Sequence, residues 1–138
     1  MSEQSVQQPV QPGRGDRPAA ASPLTDGTVL RLPAEGAPIR GEQDALDVIG
    51  DAFGRGATWV VVPAARLHPD FFALRTRVAG GIVQKFVNYR VGLVVLGDVA
   101  AHVAASDALR DFVRESNRGD QLWFLADEAA LEARFAEV

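Results

Sequence analysis

The chain has 138 residues, 47% of them apolar, with 14 basic and 18 acidic side chains and a formal net charge of −4; that suits one domain with a real core and is too short for two ordinary ones. It has no cysteine and only two histidines, His68 and His102, which excludes disulfides, thiolate metal sites and cysteine nucleophiles and argues against a histidine-rich metal centre. The mild acidity argues against a dedicated nucleic-acid binder, which carries a basic face. No apolar run approaches the roughly 20 residues of a bilayer span, and the N-terminus lacks the charged-then-apolar pattern of a secretory signal. The expected location is the cytoplasm, with no membrane and no nucleic acid among the partners.

Residues 1–26 are rich in Gln, Pro, Gly, Ser and Ala and sparse in large apolar side chains. Such a segment buries too little surface to offset its ordering entropy. The expected organisation is a disordered tail over 1–26 and a single α/β domain over 27–138. Residues 28–32 read as a short strand closed by Pro33, and 38–40 as a weaker strand signal. Residues 44–53 read as a helix, with Ala45, Leu46, Ile49, Ala52 and Phe53 at helical spacing and Asp44, Asp47 and Asp51 on the wet side. The apolar run 57–62 reads as a strand buried on both faces, closed by Pro63.

After Pro69 the spacing predicts the longest helix, over 70–89, with an apolar stripe of Phe71, Leu74, Val78, Ile82 and Phe86. Gly80 and Gly81 interrupt it at a cost of about 1 kcal/mol each relative to Ala. Either close packing against the sheet or another helix offsets that cost, or two copies cross here in a homodimer. Residues 91–96 form a second buried strand, stopped by Gly97 and Asp98. Ser106 caps a helix reaching Asn117, with Leu109, Phe112 and Val113 on its core side. Residues 121–126 form another strand, and Asp127 caps a last helix ending at Phe135. This alternation implies an α/β fold, a small, mostly parallel sheet of about four to five strands flanked by helices, with right-handed crossovers.

The stretch 71–90 contains a double Phe (Phe71, Phe72), Leu74 and Thr76, the pair Ala79-Gly80, then Gln84-Lys85-Phe86 and Asn88-Tyr89-Arg90. Leu96-Gly97-Asp98, Asp111-Phe112, Glu115-Ser116-Asn117 with Gly119, and Phe124 follow in order. These blocks resemble the uncharacterised bacterial domain-of-unknown-function family DUF4180, over nearly the whole domain from Thr28 onward. The resemblance carries no established activity to transfer. One departure is Gly81, where the resemblance implies an acid. The element order is also similar in topology to the sulfate-transporter/anti-sigma-antagonist (STAS-like) fold. Phosphoswitch members of that fold carry an Asp-Ser turn before their second helix. Here the turn, 64–69, contains neither Ser nor Thr, so a phosphoswitch is not expected there.

Open parallel sheets bind ligands beyond the carboxyl ends of their strands. The groups expected there are Arg66, His68, Asp98, His102 and Asp127, joined by Arg75 and Thr76. An Asp near a His can do acid–base work; the structural alternative is that Asp98 caps the following segment. A second cluster is expected at the opposite end, where Gln84, Lys85, Asn88, Tyr89 and Arg90 close one helix and Glu115, Ser116 and Asn117 close the next. It is either a polar binding surface or a network that satisfies helix-end carbonyls and turns the chain into the next strand. No phosphate-cradling lysine loop is present, and Gly50, Gly54 and Gly56 do not follow a strand. No cofactor and no metal site is expected. The leading functional expectation is a non-enzymatic binding or regulatory module with a protein partner, a small ligand or a second copy of itself. The alternative is a small enzyme centred on Asp98 with His102 or Arg75, and a third is an accessory protein working through its tail.

Overall fold

The computed structural model describes residues 27–137, so the expected tail lies outside the described residues. The elements are β1 (Val29–Arg31), α1 (Glu42–Gly54), β2 (Trp59–Pro63), α2 (Val78–Asn88), β3 (Gly92–Leu96), α3 (Ala100–Ala104), α4 (Asp107–Arg118), β4 (Leu122–Leu125) and α5 (Glu128–Phe135). Three 3₁₀ turns, Ala64–Arg66, Pro69–Phe72 and Leu74–Thr76, connect β2 to α2.

The four strands form one all-parallel sheet in the order β1-β2-β3-β4. Because every crossover steps in the same direction, crossovers of one hand carry their helices to one face. Val60, Val62, Leu93, Val95, Leu122 and Phe124 point to that face. They meet Ala45, Ile49 and Ala52 of α1, Ile82 and Phe86 of α2, and Leu109 of α4. The alternate side chains, Val61, Val94 and Trp123, point the other way and meet Leu131 and Phe135 of α5. Burial on both faces is why the strands read as unbroken apolar runs.

The second face is aromatic. Trp59 stacks on Trp123 with ring centroids 4.3 Å apart, and Phe135 meets them edge-on at 5.4 and 5.3 Å. The Arg134 guanidinium lies 4.2 Å from the Trp123 ring centroid, and its Nη2 donates to the carbonyls of Asn117 (2.7 Å) and Gly119 (3.0 Å). Arg31 at the sheet edge pairs with Glu128 at the start of α5.

Several elements differ from the sequence expectation. The long helix over 70–89 begins only at Val78. Phe71 and Phe72 are both buried, at 0% and 7% exposure. Ala73, between the turns Pro69–Phe72 and Leu74–Thr76, is extended, with φ −98° and ψ 92°, which breaks the helical run. The Thr76 hydroxyl lies 2.7 Å from the carbonyl oxygens of both Asp70 and Ala73 and accepts from the Val78 N–H. Arg77 then adopts a left-handed φ of 66°, which separates the turns from α2. The short helix α3 has no counterpart in the sequence reading. The weak strand signal at 38–40 reduces to a single bridge between Ile39 and Leu67. Phe53, expected in the core, is 54% exposed, while Val48 is buried in its place.

The two mid-helix glycines have different settings. A Cβ on Gly81 would fall 2.7 Å from the Glu42 carboxylate, which reaches across from α1 and pairs with Lys85 at 3.6 Å. Gly81 thus lies where α1 comes against α2, under the exposed end of the Glu42 side chain. Gly80 faces open space, with nothing within 4 Å of an added Cβ. Gly80→Ala is expected to raise stability by about 1 kcal/mol, since only the glycine entropy cost is removed. Calorimetry should show Tm rising by about 4 °C. A fall in Tm would mean that this face is closely packed in solution.

Candidate functional site

The turns after β2 and the helix after β3 meet at the carboxyl ends of the central strands. There the Phe72 ring lies flat on the His102 ring, with centroids 4.2 Å apart and planes 8° from parallel. A cleft opens on each side of this stack. One, of about 370 Å³, is bordered by Pro63, Ala64, Leu96 and Asp98. The other, of about 550 Å³, is bordered by Pro69, Leu74, Arg75, Ala101, Ala105 and Ala108. Phe72 and His102 line both. The turns after β2 set this divider: they bury Phe71 fully and place Phe72 against His102 of α3.

Most of the polar groups expected at this end hold local structure. Asp98 Oδ1 accepts from the Ala100 N–H at 2.9 Å and starts α3. Asp127 Oδ1 accepts from the Ala130 N–H at 2.9 Å and caps α5. His68 Nδ1 accepts from the Asp70 N–H at 3.1 Å and lies 3.6 Å from its carboxylate. Arg66 donates to the carbonyls of Ala37, Pro33 and Glu35 at 3.0, 2.9 and 3.1 Å. The loop folds tightly over this guanidinium at Gly36, where φ is 136° and a Cβ would fall 2.8 Å from the Arg66 Cζ. Thr76 holds the turn before α2. Arg75 is different: it is exposed, and its side chain makes no hydrogen bond or ion pair among the described residues.

Asp98 and His102 do border the same cleft. No serine, threonine or lysine joins them there as a nucleophile with a base and an orienting third group. Among the described residues, no group of three or more His, Asp or Glu side chains could hold a metal ion.

The cluster expected at the opposite end divides between two seams. Gln84 Nε2 donates to Asn88 Oδ1 at 2.8 Å on the exposed side of α2. Lys85 reaches Glu42 of α1, and the Tyr89 ring stands edge-on to Phe53 of α1 at 5.9 Å. Arg90 takes a left-handed φ of 59° as the chain leaves α2. On the other helix Glu115 pairs with Arg118 at 3.4 Å, and the Ser116 carbonyl accepts from the Gly119 N–H. The Asn117 carboxamide accepts from the Phe124 N–H at 2.7 Å and donates to the Phe124 carbonyl at 3.3 Å. The α2 residues thus bond to α1 or to each other, and Asn117 bonds to β4. Among the described residues no side-chain bond joins the two helix ends.

Of the groups expected at the carboxyl ends of the strands, Asp98, His102 and Arg75 border the clefts, and Thr76 borders neither. Sequence reasoning did not foresee Phe72 as the divider between two clefts, nor the alanines of the α3–α4 region as a lining. The signal available was Thr76, whose hydroxyl bonds back to the carbonyls of Asp70 and Ala73.

A family model described as "Domain of unknown function (DUF4180)" matches residues 25–135. No curated protein and no solved structure matches the chain. Beside Gly81, where the resemblance implies an acid, the Glu42 carboxylate of α1 takes up the space. No helix among the described residues is long and apolar enough to cross a membrane.

Proposed function

We propose that this chain, which belongs to the DUF4180 family, is a non-enzymatic bacterial binding or regulatory module of the cytoplasm. Its working surface is the pair of clefts divided by the Phe72–His102 stack. One observation carries this reading: Asp98, Asp127, Arg66 and Thr76 are engaged in local hydrogen bonds, and the clefts are lined mostly by Ala, Pro, Leu and Phe, with Arg75, Asp98, His102 and Ser106 among the lining residues. Such a lining suits contact with a protein or small ligand better than bond making. Its topology is compatible with the STAS-like comparison, an analogy that supports a regulatory role without specifying one. Self-association across the open α2 face at Gly80 is the homodimeric form of the same reading.

Ala105 is exposed and lines the larger cleft, so Ala105→Trp fills the cleft without disturbing the core. The test is a thermal-shift screen of the full chain against metabolites, nucleotides, anions and peptides. A ligand at about 100 times its Kd adds roughly 2.7 kcal/mol, a Tm rise of order 10 °C. The expected result is a hit that Ala105→Trp abolishes while the unliganded Tm stays unchanged. Hits that all survive Ala105→Trp would move the binding surface elsewhere.

The shared border of Asp98 and His102 on one cleft favours a second reading, a small enzyme centred on Asp98. Asp98→Asn keeps an acceptor for the Ala100 N–H and removes the carboxylate. Turnover of a bound compound that is lost in Asp98→Asn, with binding retained, would establish the enzyme reading over the first.

A further inference from the structure

Resting on the reading of these clefts as a binding surface, we infer that their occupant is an acidic protein segment, an extended peptide with bulky apolar side chains at i and i+2 and a carboxylate at i+4, which points to the same side. The two clefts share one divider, the Phe72–His102 stack. An extended peptide points residues i and i+2 to the same side, roughly 7 Å apart, so it seats one side chain in each cleft and crosses the divider between them. Ala101, Ala105 and Ala108 line the larger cleft, and their small side chains leave the room that a Leu- or Phe-sized group fills.

Charge selects the acidic partner. Arg75 is the permanently charged side chain of the larger cleft, and no carboxylate among the described residues neutralises it. Asp107, beside the cleft in sequence, pairs with Arg110 at 3.1 Å, and the Asp70 carboxylate lies by His68 Nδ1, at 3.6 Å, rather than by Arg75. A guanidinium at the edge of an apolar slot presents a fork of N–H donors that matches a carboxylate.

The test is an NMR titration of the ¹⁵N-labelled full chain with the blocked peptide acetyl-Phe-Ser-Leu-Ser-Glu-amide, and with its glutamine counterpart acetyl-Phe-Ser-Leu-Ser-Gln-amide. The expected result is saturable shifts at the amides of residues 72–75 and 101–108. The glutamine peptide should bind about three- to fivefold more weakly, the scale of one exposed ion pair. Arg75→Gln should erase the difference between the peptides, and Arg75→Lys should retain part of it. Equal affinity of the two peptides for the unmutated chain overturns the acidic assignment and leaves the clefts as a binding site. Shifts confined to other surfaces, or no shifts with either peptide, overturn the assignment, and survival of the thermal-shift hits in Ala105→Trp separately overturns the cleft reading.

Discussion

Gly92→Ala is expected to destabilise the domain by about 3 kcal/mol, near the upper end of what overpacking usually costs. Gly92 sits directly opposite Trp59 in the β2–β3 register. A Cβ there would fall 2.4 Å from the Trp59 indole, far inside ordinary van der Waals contact. Trp123 stacks on the indole and Phe135 meets it edge-on, so relief requires breaking that aromatic packing or moving the strands. Urea denaturation followed by tryptophan fluorescence reads the loss directly. In a Trp59→Leu background the same substitution should cost less than about 1 kcal/mol, a coupling of the size contacting residues show. A loss below about 0.5 kcal/mol in the unmutated background would mean that the indole does not lie over Gly92.

Asn117→Ala is expected to cost about 2 kcal/mol, the scale of leaving partly buried donors and acceptors unpaired. β4 is an edge strand, and the Asn117 carboxamide satisfies both the N–H and the carbonyl of Phe124. The side chain acts as one residue of a missing neighbouring strand. Asn117→Asp keeps the acceptor but sets a carboxylate oxygen against the Phe124 carbonyl, so at neutral pH it should do no better than alanine. Hydrogen exchange at the Phe124 amide should accelerate in both variants. Both should also aggregate more readily, since an unpaired strand edge is a template for another chain. Unchanged stability with lost partner binding would instead make Asn117 a recognition residue.

The parts of the fold that were legible in the sequence are those in which one local signal dominates. The buried strands read clearly because both faces of β2, β3 and β4 are covered, so composition alone marks them. Ser106 and Asp127 marked the starts of α4 and α5, where their side chains accept from the N–H groups of Leu109 and Ala130. The expected helix at 70–89 failed because the Thr76 hydroxyl bonds back to the carbonyls of Asp70 and Ala73, and Ala73 and Arg77 leave helical geometry, a local competition that apolar periodicity does not register. Phe53 misled for a different reason: α1 buries Ala45, Val48, Ile49 and Ala52, and that stripe leaves the next position outside. The candidate site was legible as a location, because open parallel sheets bind at one end. Its shape was not, because Phe72 and His102 lie thirty positions apart and only the turns and α3 bring them together.

The sequential strand order has a kinetic consequence. Val29 pairs with Trp59, Trp59 with Gly92, and Leu93 with Leu122, so each strand closes a loop of about thirty residues onto the strand made just before it. Evenly short closures keep the entropy cost of each step low for a parallel sheet. The sheet can therefore grow from the N-terminal side as the chain leaves the ribosome. Its second face is sealed last, when Leu131 and Phe135 arrive with α5. Until then Val61, Val94 and the two tryptophans lack that cover, and a nascent chain stalled before Glu128 presents its stickiest surface to its neighbours.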